Sequence, residues 1–245
     1  MTKNIILFLV IIAVSLCSLA AISEAQAVDK NQALSLKSQG IIPIAAFTAS
    51  GDLERLKTAL REGLDAGLTI NEIKEVLVQM YAYAGFPRSL NGLDTFIAVL
   101  EERKKRGIKD VIGRDASPLP THKSRRELGT EIQTGIVGRP VSGPTYDFAP
   151  VIDRFLKEHL FADIFGRDIL DFQARELATV SALASLPAEN QLRSHLNVSM
   201  NVGLTEAQMR QFVSILADKV GKDESSRADR LLDEVLKNRK ASSGK

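Results

Sequence analysis

Cysteine and histidine carry most nucleophilic, redox and metal chemistry, and this chain is poor in both: one cysteine, Cys17, and three histidines, His122, His159 and His195. A single cysteine excludes a disulfide within the chain and any CxxC redox or zinc site. No two histidines share a spacing such as HxxxH, so no histidine-rich metal site is expected. What is left is acid–base work by an isolated imidazole, provided that the surrounding elements bring a partner to it.

Those elements read as helices. Leu53, Leu56, Leu60 and Leu64 recur at three- and four-residue steps and form one apolar face. Gly67 ends that helix, and Thr69 followed by Glu72 is a capping-box pattern for the next. Ile73, Val76, Leu77 and Met80 continue the apolar face until Gly85-Phe86-Pro87 breaks it, and a further helix is expected from about Ser89 to Arg106. The stretches 107–120 and 135–150 are rich in turn residues, with a short helix, Ser124 to Ile136, between them. Beyond Pro150 the apolar spacing predicts helices over Val151–Phe165, Ile169–Leu186, Glu189–Val202, Glu206–Val220 and Ser225–Lys240. The fold class expected is all-α.

The 245 residues carry 32 Lys+Arg against 30 Asp+Glu, a net charge of +2, with 44% hydrophobic and 5% aromatic residues. Such a chain buries a substantial core and is not disordered. Near-neutral charge without Trp gives no nucleic-acid surface. Residues 1–27 combine Lys3, an apolar run from Ile5 to Ile22 and a closing Ala25-Gln26-Ala27, the pattern of a cleaved signal peptide. Export to the periplasm or the medium is therefore expected, with a membrane anchor as the competing reading. Cleavage after Ala27 removes the lone cysteine and leaves nothing to hold the chain to a membrane.

An internal repeat is visible. LREGLDAGLTINEIKEVL (Leu60 to Leu77) aligns without gaps on LNVSMNVGLTEAQMRQFV (Leu196 to Val213), 136 positions on, sharing a Gly-Leu-Thr turn and the apolar positions around it. Each copy reads as a helical hairpin that needs a neighbour to bury its apolar stripe, which favours close packing of the halves or an oligomer.

Two stretches resemble the carboxymuconolactone decarboxylase family, part of the alkyl hydroperoxidase D-like superfamily. One is EVLVQMYAYAGFPRSLNGL (Glu75 to Leu93). The other runs from RRELGTEI (Arg125 to Ile132) through DFAPVIDRFLKEHLFADIFGRDIL to RELATVSALASLPAENQLRSHLNVSMNVGLT (Arg175 to Thr205). The resemblance implies helical-hairpin repeats of the alkyl hydroperoxidase D-like type, two copies in tandem. The organisation expected is a signal peptide (1–27), a first, partial repeat (28–106), a linker and lead-in helix (107–147) and a second repeat (148–245). The Tyr-Ala-Gly-x-Pro block that closes the family's hairpin occurs only in the first copy, so the second copy is expected to lack its closing block. The copies would then complete one another within or between chains.

Peroxidase-type members of that family use a Glu and two cysteines that lie seven and four positions before a His. Here the His position is His195 and the Glu position Glu176, whereas Ala188 and Gln191 occupy the cysteine positions. Without a thiolate, peroxide reduction is not expected. The first copy has Ala59 where the second has His195 and reads as chemically empty. The remaining features are similar to the decarboxylase branch, whose carboxy-lyase chemistry needs no metal or organic cofactor. There, an imidazole delivers a proton to carbon and a carboxylate sets its tautomer. Glu176 and His195 fall on consecutive expected helices around Leu186-Pro187-Ala188, so a hairpin can bring them together.

Substrate-binding candidates are Gln191, one turn before His195; Arg193, a carboxylate match whose competing reading is a surface salt bridge; and Tyr83 and Asn91, flanking the Gly-Phe-Pro break. The expected function is an exported, cofactor-free enzyme acting on a small carboxylated lactone or related acid. The alternatives are an antioxidant-type member that has lost its cysteines and a non-catalytic, small-molecule-binding helical oligomer. Self-association as a trimer or hexamer is implied by the resemblance.

Overall fold

The computed structural model describes residues 33–243, and every regular element among them is a helix. The expected signal peptide, and Cys17 with it, lies outside the described residues. The first copy comprises α1 (Leu36–Ser50), α2 (Leu53–Asp65), α3 (Ile70–Ala84) and α4 (Phe86–Lys105). An interposed segment follows: α5 (Arg125–Val137), α6 (Pro144–Phe148), α7 (Pro150–Phe155) and a π-helical stretch, Leu156–Phe165. The second copy comprises α8 (Phe172–Ala184), α9 (Glu189–Asn201), α10 (Glu206–Ile215) with a π-helical extension, Leu216–Val220, and α11 (Lys222–Ser243).

The two copies correspond helix for helix, and their turns make the same hydrogen bonds. Gly67 and Gly203 both hold positive φ, at 93° and 102°, a conformation that costs glycine little and other residues more. The Leu68 N–H donates to the Gly63 carbonyl at 3.0 Å, and the Leu204 N–H to the Ser199 carbonyl at 3.1 Å. The next helix starts with a capping box in each copy, Thr69 with Glu72 and Thr205 with Gln208, which satisfies two of its free N–H groups.

The second copy does not lack its closing block. Gly221 stands where the first copy has Gly85, and α11 follows it as α4 follows Gly85. The Ser89 hydroxyl donates to the Leu77 carbonyl at 2.8 Å, and the Ser225 hydroxyl to the Val213 carbonyl at 3.0 Å. The helix expected to begin near Ser89 begins at Phe86, because Pro87 falls in the first turn, where proline's missing N–H costs nothing.

The core sits between the copies. α1 is buried without interruption from Ile41 to Ala49 and α8 from Arg175 to Ala184, and the two pack against each other. The buried stretch of α1 is apolar nearly all round, as a core helix is, whereas that of α8 also buries Arg175, Glu176, Thr179 and Ser181. Leu56 and Leu60 of α2 and Leu192 and Leu196 of α9 are fully buried at equivalent positions, each worth about 1.5–3 kcal/mol. A second cluster joins Ile136, Leu160, Phe161, Ile164 and Phe165 of the interposed segment to Val198 of α9. α5 crosses the start of the π-helical stretch at Gly129, where a methyl group would collide with the Lys157 carbonyl. This segment therefore lies directly over the face of α9.

Candidate active site

α8 and α9 form the antiparallel hairpin that the sequence implies, turned at Leu186-Pro187-Ala188. Asp171 caps α8 by accepting the Ala174 N–H at 2.8 Å. Leu192 and Leu196 anchor α9 in the core, which aims His195 along the hairpin's inner edge. There, His195 Nδ1 lies 2.9 Å from Glu176 Oε2. The Glu176 side chain is fully buried, whereas His195 keeps 17% of its side-chain surface.

A carboxylate at Nδ1 accepts the Nδ1–H and leaves Nε2 as the nitrogen that takes up and hands on a proton. Nε2 has no partner among the described residues, and the ring lines a partly enclosed cleft of about 550 Å³. The second oxygen of Glu176, Oε1, is buried without a hydrogen bond.

The cleft's other wall comes from the first copy. Tyr83, near the end of α3, meets the His195 ring edge-on with centroids 6.0 Å apart. Burial, then the neighbouring Glu176 charge, pushes the Tyr83 phenol well above its ordinary range, so it stays neutral. Its hydroxyl lies near Thr179 but makes no hydrogen bond of good geometry. α3 is fastened to α8 by a buried polar latch. The Gln79 amide donates to the Arg175 carbonyl at 2.9 Å and to the Thr179 hydroxyl at 3.0 Å. Arg175, fully buried, donates to Gln79 Oε1 at 3.0 Å and to Glu75 at 3.1 Å. Arg167 bridges Glu75 from the other side at 2.7 Å. The copies thus complete one site within a single chain.

Of the other candidates, Gln191 lines the cleft one turn from His195, as does Ala188, so the two positions where peroxidase chemistry needs thiols face the cavity. Arg193 does not line it. Its guanidinium donates to Glu234 of α11 at 2.8 Å and to Asn190 at 3.0 Å, which is the surface salt-bridge reading. Asn91 is exposed on α4, its carbonyl accepting from the Thr95 hydroxyl, and it also lies outside the cleft. His159 pairs with Asp163 at 3.0 Å, and His122 is an exposed loop residue. Among the described residues no group of three or more His, Cys, Asp or Glu side chains converges on one point.

Three lining residues escape a sequence reading: Gln133 of α5, Arg139 of the following loop and Tyr146 of α6. All come from the interposed segment: Gln133 lies on the expected short helix but carries no motif, and Arg139 and Tyr146 fall in the turn-rich stretch, which gives no periodicity to follow.

The carboxymuconolactone decarboxylase family matches residues 19–96 and 150–234, more than half of the chain and both copies. The chain is also similar to the 4-carboxymuconolactone decarboxylase of Acinetobacter baylyi, 24% identical over 119 residues, which are 47% of this chain and 89% of that relative. Duplicated helical hairpins and a two-part family match agree, and the chain belongs to the carboxymuconolactone decarboxylase family.

Proposed function

We propose that this protein is a cofactor-free decarboxylase, or a proton-transfer enzyme of the same chemistry, acting on a small carboxylated lactone or related acid. The observation that carries this reading is the His195–Glu176 pair at 2.9 Å, with the imidazole facing a cleft of substrate size. The family membership and the decarboxylase relative support it.

In a lactone whose ring double bond is conjugated with its carbonyl, decarboxylation breaks the bond from ring carbon to carboxylate. CO2 departs, and the electron pair passes through the double bond into the lactone carbonyl. The resulting enolate takes a proton at the carbon next to the carbonyl. His195 Nε2–H is the donor in this reading, and Glu176 stabilises the imidazolium before transfer and orients the ring. The apolar wall of Leu156, Leu160, Phe161 and Val198 disfavours a charged, departing carboxylate relative to neutral CO2.

Incubating the protein with 4-carboxymuconolactone and following CO2 release tests the reading. His195→Gln is expected to lower kcat about a hundredfold or more, the usual contribution of a positioned acid, and Glu176→Gln by a smaller factor. Unchanged turnover in both variants defeats the assignment, and saturable binding of the lactone without turnover establishes the non-catalytic alternative. The reading includes export through the N-terminal 27 residues, which the mass of the protein recovered from the cell envelope or medium tests. It also includes self-association, supported by the exposed Phe148, Val151 and Phe155 on α6 and α7 and measurable by light scattering.

A further inference from the structure

Decarboxylation removes one anionic group, and the cleft's charge layout bears on whether the substrate carries a second. Among the described residues lining it, Arg139 is the only Lys or Arg, and none is Asp or Glu. Arg139 has neither an ion pair nor a hydrogen bond among the described residues. The other arginine suggested for carboxylate binding, Arg193, is engaged by Glu234 and Asn190.

The position of Arg139 is built. α5 ends at Gly138, whose φ of 82° turns the chain sharply and whose N–H donates to the Thr134 carbonyl at 2.8 Å. The preceding carbonyl, that of Val137, accepts the Asn201 side-chain amide of α9 at 2.9 Å. The root of the Arg139 loop is therefore fastened to the helix that carries His195. Gln133, two turns earlier on α5, lines the same cavity, is 97% buried and has an Oε1 with no partner. That amide oxygen is an acceptor, so what completes it is a group in the cleft that carries an O–H or N–H.

The equivalent pocket of the first copy supplies the contrast. It contains two cations, Arg55 and Lys219, and both are satisfied internally. Arg55 donates to Asp52 and to the Val220 carbonyl, each at 2.7 Å, and Lys219 pairs with Glu62 at 2.9 Å. Of these two pockets, the His195 cleft is the one that holds a cation with no ion pair or hydrogen bond among the described residues.

We infer that Arg139 is the carboxylate anchor of the cleft: it grips a second acidic group that the substrate keeps through the reaction, while the reacting carbon lies at His195. This rests on the reading of the cleft as a substrate site, and it makes Arg139 the residue through which the cleft distinguishes an acid that keeps a carboxylate from its neutral analogue.

The test uses the full chain, with glutarate and its uncharged diamide as non-reacting probes and calorimetric titration as the readout. Arg139→Gln is expected to weaken glutarate by at least about tenfold, as loss of a charge-assisted, bidentate contact does, and to leave the diamide unaffected. Arg139→Lys restores part of the difference. With the lactone as substrate, the Arg139→Gln loss falls on KM rather than kcat. Equal glutarate affinity in wild type and Arg139→Gln overturns the anchor, as does wild type that binds no glutarate. Failure of the decarboxylase reading is a separate result: CO2 release is then absent although glutarate binding still depends on Arg139. Arg139 is exposed, so an unchanged thermal midpoint confirms that its variants are folded.

Discussion

The two copies put the same backbone around two pockets and then diverge in the side chains. The smaller pocket, about 210 Å³, is lined by Pro43, Phe47, Arg55, Thr58, Ala59 and Glu62 of the first copy and by Lys219 of the second. Counted 136 positions on or back, all but Pro43 fall on residues that line the larger cleft: Leu183, Gln191, Ser194, His195, Val198 and Tyr83. Each copy's third helix, or its extension, thus closes the other copy's pocket. One position received the imidazole and its counterpart a methyl group. Behind the imidazole stands Glu176, and behind Ala59 stands Gly40. The difference teaches that the scaffold supplies a cavity twice, and that the proposed chemistry depends on one buried carboxylate and one ring found in only one of the two.

The sharpest way to break this comparison is to move the imidazole. In a His195→Ala background, Ala59→His is expected to leave CO2 release at the level of the single variant, at least about a hundredfold below wild type. The first copy has Gly40 where the second has Glu176, and the carboxylate that does line its pocket, Glu62, is paired with Lys219. A side chain at Gly40 would place its Cβ 3.3 Å from the Gly63 Cα and from Leu68, so even a methyl group there makes the neighbouring helix give way slightly. Recovery of turnover by the transplanted histidine would show that the pocket alone suffices.

The next largest contrast lies in what ties α3 to α8 and what ties their counterparts. Arg175 and Glu75 correspond to Gln39 and Gln211. The neutral pair meets only through Leu34, whose carbonyl accepts Gln39 and whose N–H donates to Gln211. Arg175→Met strands Glu75, 6% exposed, with Arg167 as its remaining partner. It is expected to cost about 3 kcal/mol, as breaking a buried pair does. Gln39→Met removes one neutral hydrogen bond and is expected to cost about 1 kcal/mol. Denaturant unfolding measures both, and equal losses would mean that the charged latch holds no more than its neutral twin.

How much of this was readable beforehand differs by element. The helices, the Gly-Leu-Thr turn and the Thr69–Glu72 box follow from periodicity and capping chemistry, which are local. The His195–Glu176 pair needed only a hairpin between adjacent helices. The closing block of the second copy was hidden, because VGKDESSRADRL keeps little of GFPRSLNGL beyond the glycine and the serine that make the shared hydrogen bonds. Arg193 could not be read, since its partner Glu234 lies 41 residues on. Arg139 was beyond reach for a related reason: a loop residue's neighbours are set by how α5 crosses the π-helical stretch. The wider helical turns of that stretch leave no mark in a pattern that otherwise reads as α-helix.

A smaller effect tests the part the copies share. Gly67→Ala and Gly203→Ala both force a side chain into positive φ, at about 1–2 kcal/mol each. At Gly203 the new Cβ would also approach the Gln173 amide at 2.9 Å, whereas at Gly67 its nearest neighbour, the end of Lys37, is 3.7 Å away. Gln173 can swing aside, so the two losses should agree closely when compared by thermal unfolding. A loss confined to one copy would show that the turns carry different loads.

The smallest contrast is between the capping boxes, and pH exposes it. Both threonines accept the N–H of the third residue at 3.2 Å, but the return bond comes from a carboxylate in Glu72 and from a neutral amide in Gln208. Partial burial acts to raise the Glu72 carboxyl. The Thr69 N–H, the Lys37 ammonium and the Thr69 hydroxyl together outweigh it and hold the group below its ordinary 4.5. A carboxyl lowered on folding stabilises the fold above its unfolded value and loses that contribution as pH falls through the folded value. Glu72→Gln should therefore cost about 0.5–1 kcal/mol at pH 7, the scale of one exposed cap with its helix-dipole term. The gap from wild type should close progressively as pH drops below about 4.5. Gln208→Glu should do the reverse, adding a pH-dependent increment to the second copy that vanishes in acid. If the Glu72→Gln gap stays constant from pH 7 to pH 3, the box is held by geometry alone, and its charge contributes nothing that the amide does not.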